Sequence, residues 1–544
     1  MENKYLILDC FVDEPTCLGV PPFVSPYPRY IYGALLDSKV EEKNISYATI
    51  DLLRETDYKI RDNFKLVFLI GGAVVPGRYL GNKIGTIAEI KKIINFNKKQ
   101  KFVTNSLVNI KDYYHNLIQL KGDLELFAYQ YARQDFSLKF KRLSTWARLG
   151  SGMIESHPNF PNLICEIETY RGCPRQNHCS FCSEGLRDKI EFREEEEIIN
   201  EIDALITKGA SRFRIGCQAD IFSYKTSFKN FKNGFPQPEV RSLKNLFKAL
   251  KERREVGKIK VLNIDNANPG TIHNFPQEAE IILDSITQAI TPGDTLALGI
   301  ESIDEKVIGS NNLKINQTDS LQVIKMINEI GGQRINGVPT LLPGINLLHG
   351  LRGENLKTFE QNYKWLLKIK DLGLLVKRIN LRKVYPFPET EIYKDPPLIP
   401  KKIENRFEYY RDKIRQDIDL YMLKQIYPLG TVLKDSLVME KRFDYSYAKQ
   451  IASYSITSKI PFDLEMNRFY DLVVIGYQAR SVLALPYPIK INSLSHKALS
   501  LLPGIGAKRA SEIIIKRPFG NYKEVLFLLD QVDKIILNKI EWSD

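Results

Sequence analysis

Short apolar runs alternate with amphipathic, charged stretches along most of the chain. Residues 1–125 place "KYLILDC", "ISYATIDLL", "KLVFLIGG" and "KFVTN" between helix-like segments such as "TIAEIKKIINFNKK". Apolar runs without internal alternation suit strands covered on both faces, and the amphipathic helices between them supply the cover. The pattern predicts a Rossmann-like, doubly wound α/β module. It lapses over 126–160, where "SHPNFPN" punctuates the chain, and that segment reads as a linker.

A second series of strand–helix units fills 161–390. Its strands read as "NLICEIETY", "RFRIG", "KVLNID", "TLALGIE", "RINGVPTLL" and "KRINLRKV", separated by helical stretches such as "REEEEIINEIDALITKG" and "GENLKTFEQNYKWLLKIKD". Units in series of this kind predict a partial (β/α)6 barrel, with chemistry at the C-terminal ends of its strands. Beyond it, "PPLIPKK" and a charged helix make a linker helix over 391–428. Short β-like runs over 429–492 predict a small β domain, and "SHKALSLLPGIGAKRASEIIIKRPFGNYKEVLFLLD" a compact helical piece over 493–544.

A chain of 544 residues exceeds one ordinary core, which agrees with several domains. The longest apolar runs fall well short of the roughly 20 residues that span a bilayer, so no membrane partner is expected. "MENKYLILDC" reads as a first strand and lacks the build of a secretion signal, which predicts a cytoplasmic protein. In that compartment seven cysteines are not a disulfide framework. The formal charge of +13 favours an anionic partner such as nucleic acid, although lysines scattered over solvated faces account for it as well.

Three of the cysteines stand together in "YRGCPRQNHCSFCSEG": Cys173, Cys179 and Cys182. A structural zinc site wants four closed ligands and could be completed here only by borrowing His178 or a distant residue. A four-iron cluster on three thiolates keeps one iron open to a substrate or cofactor. At these residues the chain resembles the radical S-adenosylmethionine (radical SAM) superfamily. The resemblance implies a [4Fe-4S] cluster on Cys173, Cys179 and Cys182 after the first barrel strand, S-adenosyl-L-methionine on the open iron, and a 5′-deoxyadenosyl radical from its reductive cleavage. Phe181 takes the place of the family's adenine-packing aromatic. The spacing is C-x5-C-x2-C, where C-x3-C-x2-C is commoner. Cys165 and Cys217 read as buried free cysteines outside the cluster.

The resemblance extends along the barrel. "RIGCQAD" places Gly216 and Gln218 where the family brings backbone to the methionine amino group. "LALGIESIDEKVIG" is similar to the fourth strand of the methylthiotransferase-like branch, which implies that Gly299 and Glu301 face the cofactor. The alternative for Glu301 is the acid of a helix's first turn, and Asp265 and Asn266 in "IDNANPG" read equally as barrel-mouth residues or as a turn. Many radical SAM methylases carry a Rossmann-like domain before the barrel, which raises cobalamin. Its D-x-H-x-x-G ligand motif is missing here, so a plain α/β accessory domain is expected, with cobalamin the alternative. Methylthiotransferases carry three cysteines in this region for a second cluster, against Cys10 and Cys17 here.

"LLPGIGAKRASEII" resembles a helix-hairpin-helix motif. Gly504 and Gly506 would free backbone amides for a phosphate, with Lys508 and Arg509 adding charge, an interaction that reads no base sequence; a packing module that binds nothing is the alternative. The β domain is similar to the small barrels that deliver RNA to methylthiotransferases, with Lys449, Arg480 and tyrosines as its contacts. The chain therefore reads as a radical SAM enzyme acting on a nucleic acid, RNA ahead of DNA, and needing an electron donor such as ferredoxin or flavodoxin. The alternatives are the same chemistry on a small molecule or protein, and a non-catalytic iron–sulfur protein that binds or senses nucleic acid.

Overall fold

The structure is a computed structural model that describes residues 4–10, 22–71, 85–105, 110, 112–187, 189–524, 526–529 and 534–542. Strands β1 (Tyr5–Asp9), β3 (Ile45–Thr49), β4 (Leu66–Ile70), β5 (Phe102–Asn105) and β6 (Leu117–Leu120) form one parallel sheet in the order β3-β1-β4-β5-β6. The runs "YLILD" and "LVFLI" are buried throughout because helices cover both faces of this sheet. Helix Ile87–Phe96, opened by a capping box between Thr86 and Glu89, packs on one face, and helices Pro26–Asp37 and Leu124–Arg133 on the other. Short β2 (Phe23–Val24) leaves this sheet and pairs with the barrel, Phe23 opposite Ile164 and Val24 opposite Cys165.

The barrel strands are β7 (Ile164–Glu168), β10 (Arg212–Gly216), β13 (Val261–Ile264), β14 (Asp294–Glu301), β17 (Leu341–His349) and β18 (Arg378–Lys383). They form two parallel sheets, β13-β10-β7-β2 and β14-β17-β18, joined by a parallel bridge between Ala267 and Leu298. Between them lie short antiparallel pairs: β8 (Tyr170–Arg171) with β9 (Glu191–Phe192), β11 (Ser227–Lys232) with β12 (Phe235–Gln237), and β15 (Arg334–Ile335) with β16 (Val338–Pro339). The last pair corrects the expectation that "RINGVPTLL" is the fifth strand. Asn336 and Gly337 both have positive φ (54° and 85°), so the chain doubles back at Asn-Gly and the barrel strand starts only at Leu341.

The stretch 126–160 holds helices whose Trp146, Met153 and Ile154 are buried in the main core. After the barrel, helices Lys401–Ile414 and Leu420–Ile426 flank a π-turn over Arg415–Asp419. Strands β19 (Val432–Arg442), β20 (Tyr445–Gln450), β21 (Thr457–Ile460), β22 (Phe469–Tyr477) and β23 (Ser481–Pro486) then close into a barrel in the order β19-β20-β21-β23-β22. Helices His496–Ser500 and Ala507–Lys516 pack on its outer side through Leu499 and Ile513 against Ile475 and Leu485. No helix among the described residues is long and apolar enough to cross a membrane.

Candidate active site at the barrel mouth

The loop after β7 carries the three thiols. Pairing of β8 with β9 closes its base, and Gly172, at φ 89°, turns the chain into it while its amide donates to Glu184 Oε2 (3.1 Å). Inside the loop the Cys182 amide donates to the Cys179 carbonyl (3.1 Å). Ser180 is tied to Asn311 by its amide (3.1 Å) and its hydroxyl (2.8 Å). Arg175 fastens the loop from the other side, donating to the carbonyls of Asn312 (2.6 Å) and Leu313 (3.0 Å) and to Cys179 Sγ (3.4 Å).

Cys173, Cys179 and Cys182 lie near enough to feel one another's charge. Burial, reinforced by the neighbouring thiols, pushes Cys173 up to about 11 and Cys182 up to about 12. As thiolates they require a strong local positive charge, which bound iron provides. His178 Nε2 lies 3.1 Å from the carbonyl of Cys173. Among the described residues no three His, Cys, Asp or Glu side chains are grouped to hold a single metal ion. Three thiols sharing one loop, with Arg175 beside them, fit a cluster whose remaining iron stays open to a cofactor.

Glu301 faces this loop from the end of β14. It is the last residue of the strand, sits at φ 67° beside a register shift, and is only 7% exposed. The N-cap of the following helix is Asp304, so Glu301 is not the acid of a helix's first turn. Lys314 lies between it and the thiols, donating to the Gly299 carbonyl (3.0 Å) with Glu301 Oε1 at 3.6 Å. Burial opposes the Lys314 charge, yet Cys179 and Glu301 hold its pKa above the usual value. Gly299 makes room for this pair, since a Cβ there would lie 2.8 Å from Lys314 Nζ and 2.9 Å from Glu301 Oε1. Phe181 packs against the apolar cluster of Val307, Leu313, Leu351 and Ile392, which Leu348 and Val384 also border.

Gly216 and Gln218 border the barrel's interior. A Cβ on Gly216 would collide with Glu166 Oε1, which Arg214 holds through Nε (3.0 Å) and Nη2 (2.6 Å), so the glycine leaves space for a buried ion pair. Gln218 is buried, with its Oε1 accepting from Thr169 Oγ1 (3.3 Å). Cys165 is buried in β7 as expected for a free thiol. Cys217 is not simply core: at φ 61° it is half-buried, and its Sγ donates to Glu166 Oε2 (3.0 Å). Asp265 faces inward instead of forming a turn, accepting from Tyr454 Oη (2.7 Å) with Arg214 Nη1 at 3.6 Å. The β20–β21 loop thus enters the barrel, and there the Ser453 amide also donates to Asn263 Oδ1 (2.7 Å).

Arg175, Lys314, Glu166 and Arg214 escape a reading of the sequence. Each acts through a partner far along the chain, and no local spacing marks it. Cys10 is buried after β1, and Cys17 lies outside the described residues.

Near the end of the sequence, Gly504 has φ 87° in the turn between the two C-terminal helices, and Gly506 is the N-cap of Ala507–Lys516. Lys508 is exposed, and Arg509 folds back to donate to the Gly504 carbonyl (2.9 Å). These four residues are therefore neighbours, remote in the chain from the cysteine loop.

Comparison with known proteins bears on the barrel directly. The sequence profile of the Radical SAM superfamily matches residues 167–366. An uncharacterised protein of Archaeoglobus fulgidus is 36% identical over 531 residues, covering 96% of this chain and 97% of its own. An uncharacterised protein of Methanocaldococcus jannaschii is 38% identical over 515 residues, covering 89% and 93%. Among solved structures, the radical S-adenosylmethionine methyltransferase TsrM of Kitasatospora setae, with cobalamin and a [4Fe-4S] cluster bound, aligns at 14% identity with TM-score 0.47 over 72% of this chain and 74% of that one. The cobalamin-dependent enzyme OxsB aligns at 12% identity with TM-score 0.43 over 75% and 56%. The chain belongs to the radical SAM superfamily and is an enzyme whose cofactors are a [4Fe-4S] cluster and S-adenosyl-L-methionine.

Proposed function

We propose that this enzyme modifies a nucleic acid, RNA in preference to DNA, by abstracting hydrogen from an unactivated carbon. In this reading Cys173, Cys179 and Cys182 hold the cluster, and Phe181, Gly216, Gln218, Gly299 and Glu301 border S-adenosylmethionine. When bound, the cluster and S-adenosylmethionine supply an electron and a 5′-deoxyadenosyl radical. The chain's own residues orient and enclose. Glu301, steadied by Lys314, offers a carboxylate to a hydroxyl or ammonium group of the cofactor. Phe181 gives an apolar wall, and the buried Glu166–Arg214 pair fills the interior below and keeps water from it. Electrons would come from a small donor protein such as ferredoxin or flavodoxin. Free buried thiols such as Cys10 and Cys165 suit the reducing cytoplasm.

The observation that carries the nucleic-acid reading is the glycine turn. Gly504 adopts a backbone that side chains disfavour, and a Cβ on Gly506 would meet no protein atom within 4 Å, so a ligand could approach the backbone there. The ten-residue helix that follows turns its N-terminal amides and dipole toward the same point, with Lys508 beside it. Such a clasp holds phosphate without reading bases.

Binding of structured RNA over a range of salt tests this reading. Replacing Lys508 and Arg509 by glutamate should weaken binding for all RNA sequences alike and flatten the salt slope, because fewer counterions are released. Circular dichroism confirms that the variant is folded. Equal affinities and slopes for variant and wild type would reject the clasp and favour a small-molecule or protein substrate.

A further inference from the structure

We propose that the outer face of β20 and β21 is a track for a single-stranded segment of RNA, running from the β19–β20 turn to a cationic cleft at the seam with the large barrel. The proposal rests on the RNA reading above and names the part of the substrate that this face takes.

The topology comes first. In the order β19-β20-β21-β23-β22, β21 and β23 are parallel and every other neighbouring pair is antiparallel. This is the five-stranded OB arrangement, in which the second and third strands, with the loops after the first and fourth, bind oligonucleotides or oligosaccharides. Other outer faces of this small barrel are covered. Ile475 of β22 and Leu485 of β23 lie under the C-terminal helices, and Leu437 of β19 packs on Phe23 and Ile164.

The composition of the β20–β21 face then selects the ligand. Ser446, Ala448, Ser458 and Ile460 are buried, while Tyr445, Tyr447 and Lys459 stand part-exposed on the outer face, with Tyr447 opposite Lys459; Lys449 and Thr457, alternate positions farther along, are buried where they line the seam. At one end, Phe443 in the β19–β20 turn is 101% exposed. Beside it the ring of Tyr445 carries two ammonium groups, Lys459 Nζ at 3.9 Å and Lys497 Nζ at 3.8 Å from its centroid. Asp444 is the acid nearest that pair, 3.4 Å from Lys497. Two like charges gathered at one ring raise the local positive potential and favour an anion beside them, and a phosphodiester is such an anion. Lys497 belongs to the helix that leads into the glycine turn, so the face continues toward Gly504 and Lys508.

At the other end the face runs into a cleft lined by Lys377, Arg378, Lys449 and Arg480, with Asp419 the acid in its lining. Arg480 lies in the loop after the fourth strand of the small barrel, where an OB ligand makes its second set of contacts. Cations gathered at both ends, partnered within the protein but of one sign in excess, and an exposed aromatic at the tip suit a polyanion with unstacked bases better than a neutral oligosaccharide. Folded RNA presents unpaired bases in its loops and bulges, where proteins read it by stacking. β20 spans about 20 Å, room for the smallest OB footprint of about four nucleotides.

The test is fluorescence anisotropy with the full-length, anaerobically prepared protein and a labelled oligouridylate of about 12 nucleotides, beside oligodeoxythymidylate, duplex RNA and total tRNA. Phe443→Ala, at a fully exposed position, should weaken oligouridylate binding about tenfold. Lys459→Glu with Lys497→Glu should lower the salt slope by roughly 0.7 for each phosphate that the protein ceases to neutralise. Oligouridylate binding with wild-type affinity and slope in both variants overturns the track; if tRNA binding still responds to Lys508→Glu with Arg509→Glu, the RNA reading itself stands. Tighter binding of oligodeoxythymidylate or duplex RNA overturns the assigned occupant. Failure of the wild type to bind any of the probes overturns the RNA reading and the track together.

Discussion

The barrel mouth and the outer face of the small barrel are both rich in cations and hold them in opposite ways. At the mouth, Arg171 is buried against Glu168 and Glu125, and Lys314 is packed between Glu301 and the thiols. On the small barrel, Lys459 and Lys497 lie over an aromatic ring at the surface, and Phe443 stands in water. A buried charge is costly unless paired, so the mouth's charges fix one geometry and are little screened by salt. A charge held over a ring stays available to an incoming anion and is weakened by salt. The mouth thus suits small cofactors whose atoms must be placed, and the outer face suits the polymer proposed for it, which need only be held.

The largest expected effect breaks the mouth outright. Cys173→Ala, Cys179→Ala or Cys182→Ala should each abolish the bound iron, about four per chain when reconstituted without oxygen, and with it the formation of 5′-deoxyadenosine. Cys165→Ala, in the core of β7, should keep both. Iron analysis and chromatography of the reaction decide it. A full complement of iron in any of the three loop variants would remove that residue from the ligand set.

A smaller effect sets a glycine of one region against a glycine of the other. Gly216→Ala drives a Cβ into Glu166 and must pull its carboxylate from Arg214. Breaking a buried pair costs about 3 kcal/mol. Gly506→Ala places its Cβ in open space at a backbone any residue adopts, φ −90°, and should cost no more than the poorer N-cap, about 1 kcal/mol. Denaturant midpoints measured side by side check the contrast. Equal midpoints for the two variants would mean that the interior yields as readily as the surface, and the distinction between placed and available charge would fail.

The two regions also differ in how far the sequence discloses them. The cysteine loop is legible because three rare residues stand close together after an apolar run, and a spacing survives folding unchanged. The parallel strands are legible for the same local reason, save the fifth, where "RINGVPTLL" hides an Asn-Gly hairpin inside an apolar run. What surrounds the thiols is not local. Arg175 meets Leu313 across 138 residues and Arg214 meets Glu166 across 48, so nothing near either residue marks its role. Cys217 reads as a buried free thiol because unpaired cysteine is among the most buried residue types, and only folding brings Glu166 to its sulfur. The small barrel's strands can be read, but the parallel pairing of β21 with β23, which defines its topology, exists only once the chain has crossed over β22. The insertion of Tyr454 into the large barrel likewise depends on two domains meeting.

The subtlest effect separates the grip on the cofactor from the binding of the cluster. Glu301 is proposed to accept a hydrogen bond from S-adenosylmethionine and not to ligate iron, so Glu301→Gln should leave iron content intact and weaken the cofactor. A charge-assisted hydrogen bond is worth roughly 1.5 to 3 kcal/mol, or about ten- to a hundredfold in affinity. Glutamine keeps the shape at the β14 end and retains one acceptor, which isolates the charge. Lys314 loses its carboxylate partner in this variant but stays beside Cys179, so the loop should hold its form. Phe181→Ala removes an apolar surface alone, and should cost less in affinity than the carboxylate does. Anaerobic equilibrium dialysis with S-adenosylmethionine at two salt concentrations, with iron measured on the same samples, gives the answer. Because the Glu301–Lys314 pair is buried, the cofactor's affinity should change little between the two salts, whereas RNA binding falls steeply over the same range. Unchanged cofactor affinity in a fully loaded Glu301→Gln protein would remove Glu301 from the site. A cofactor affinity that tracked salt as steeply as RNA does would show that the mouth, like the outer face, holds its ligand by exposed charge.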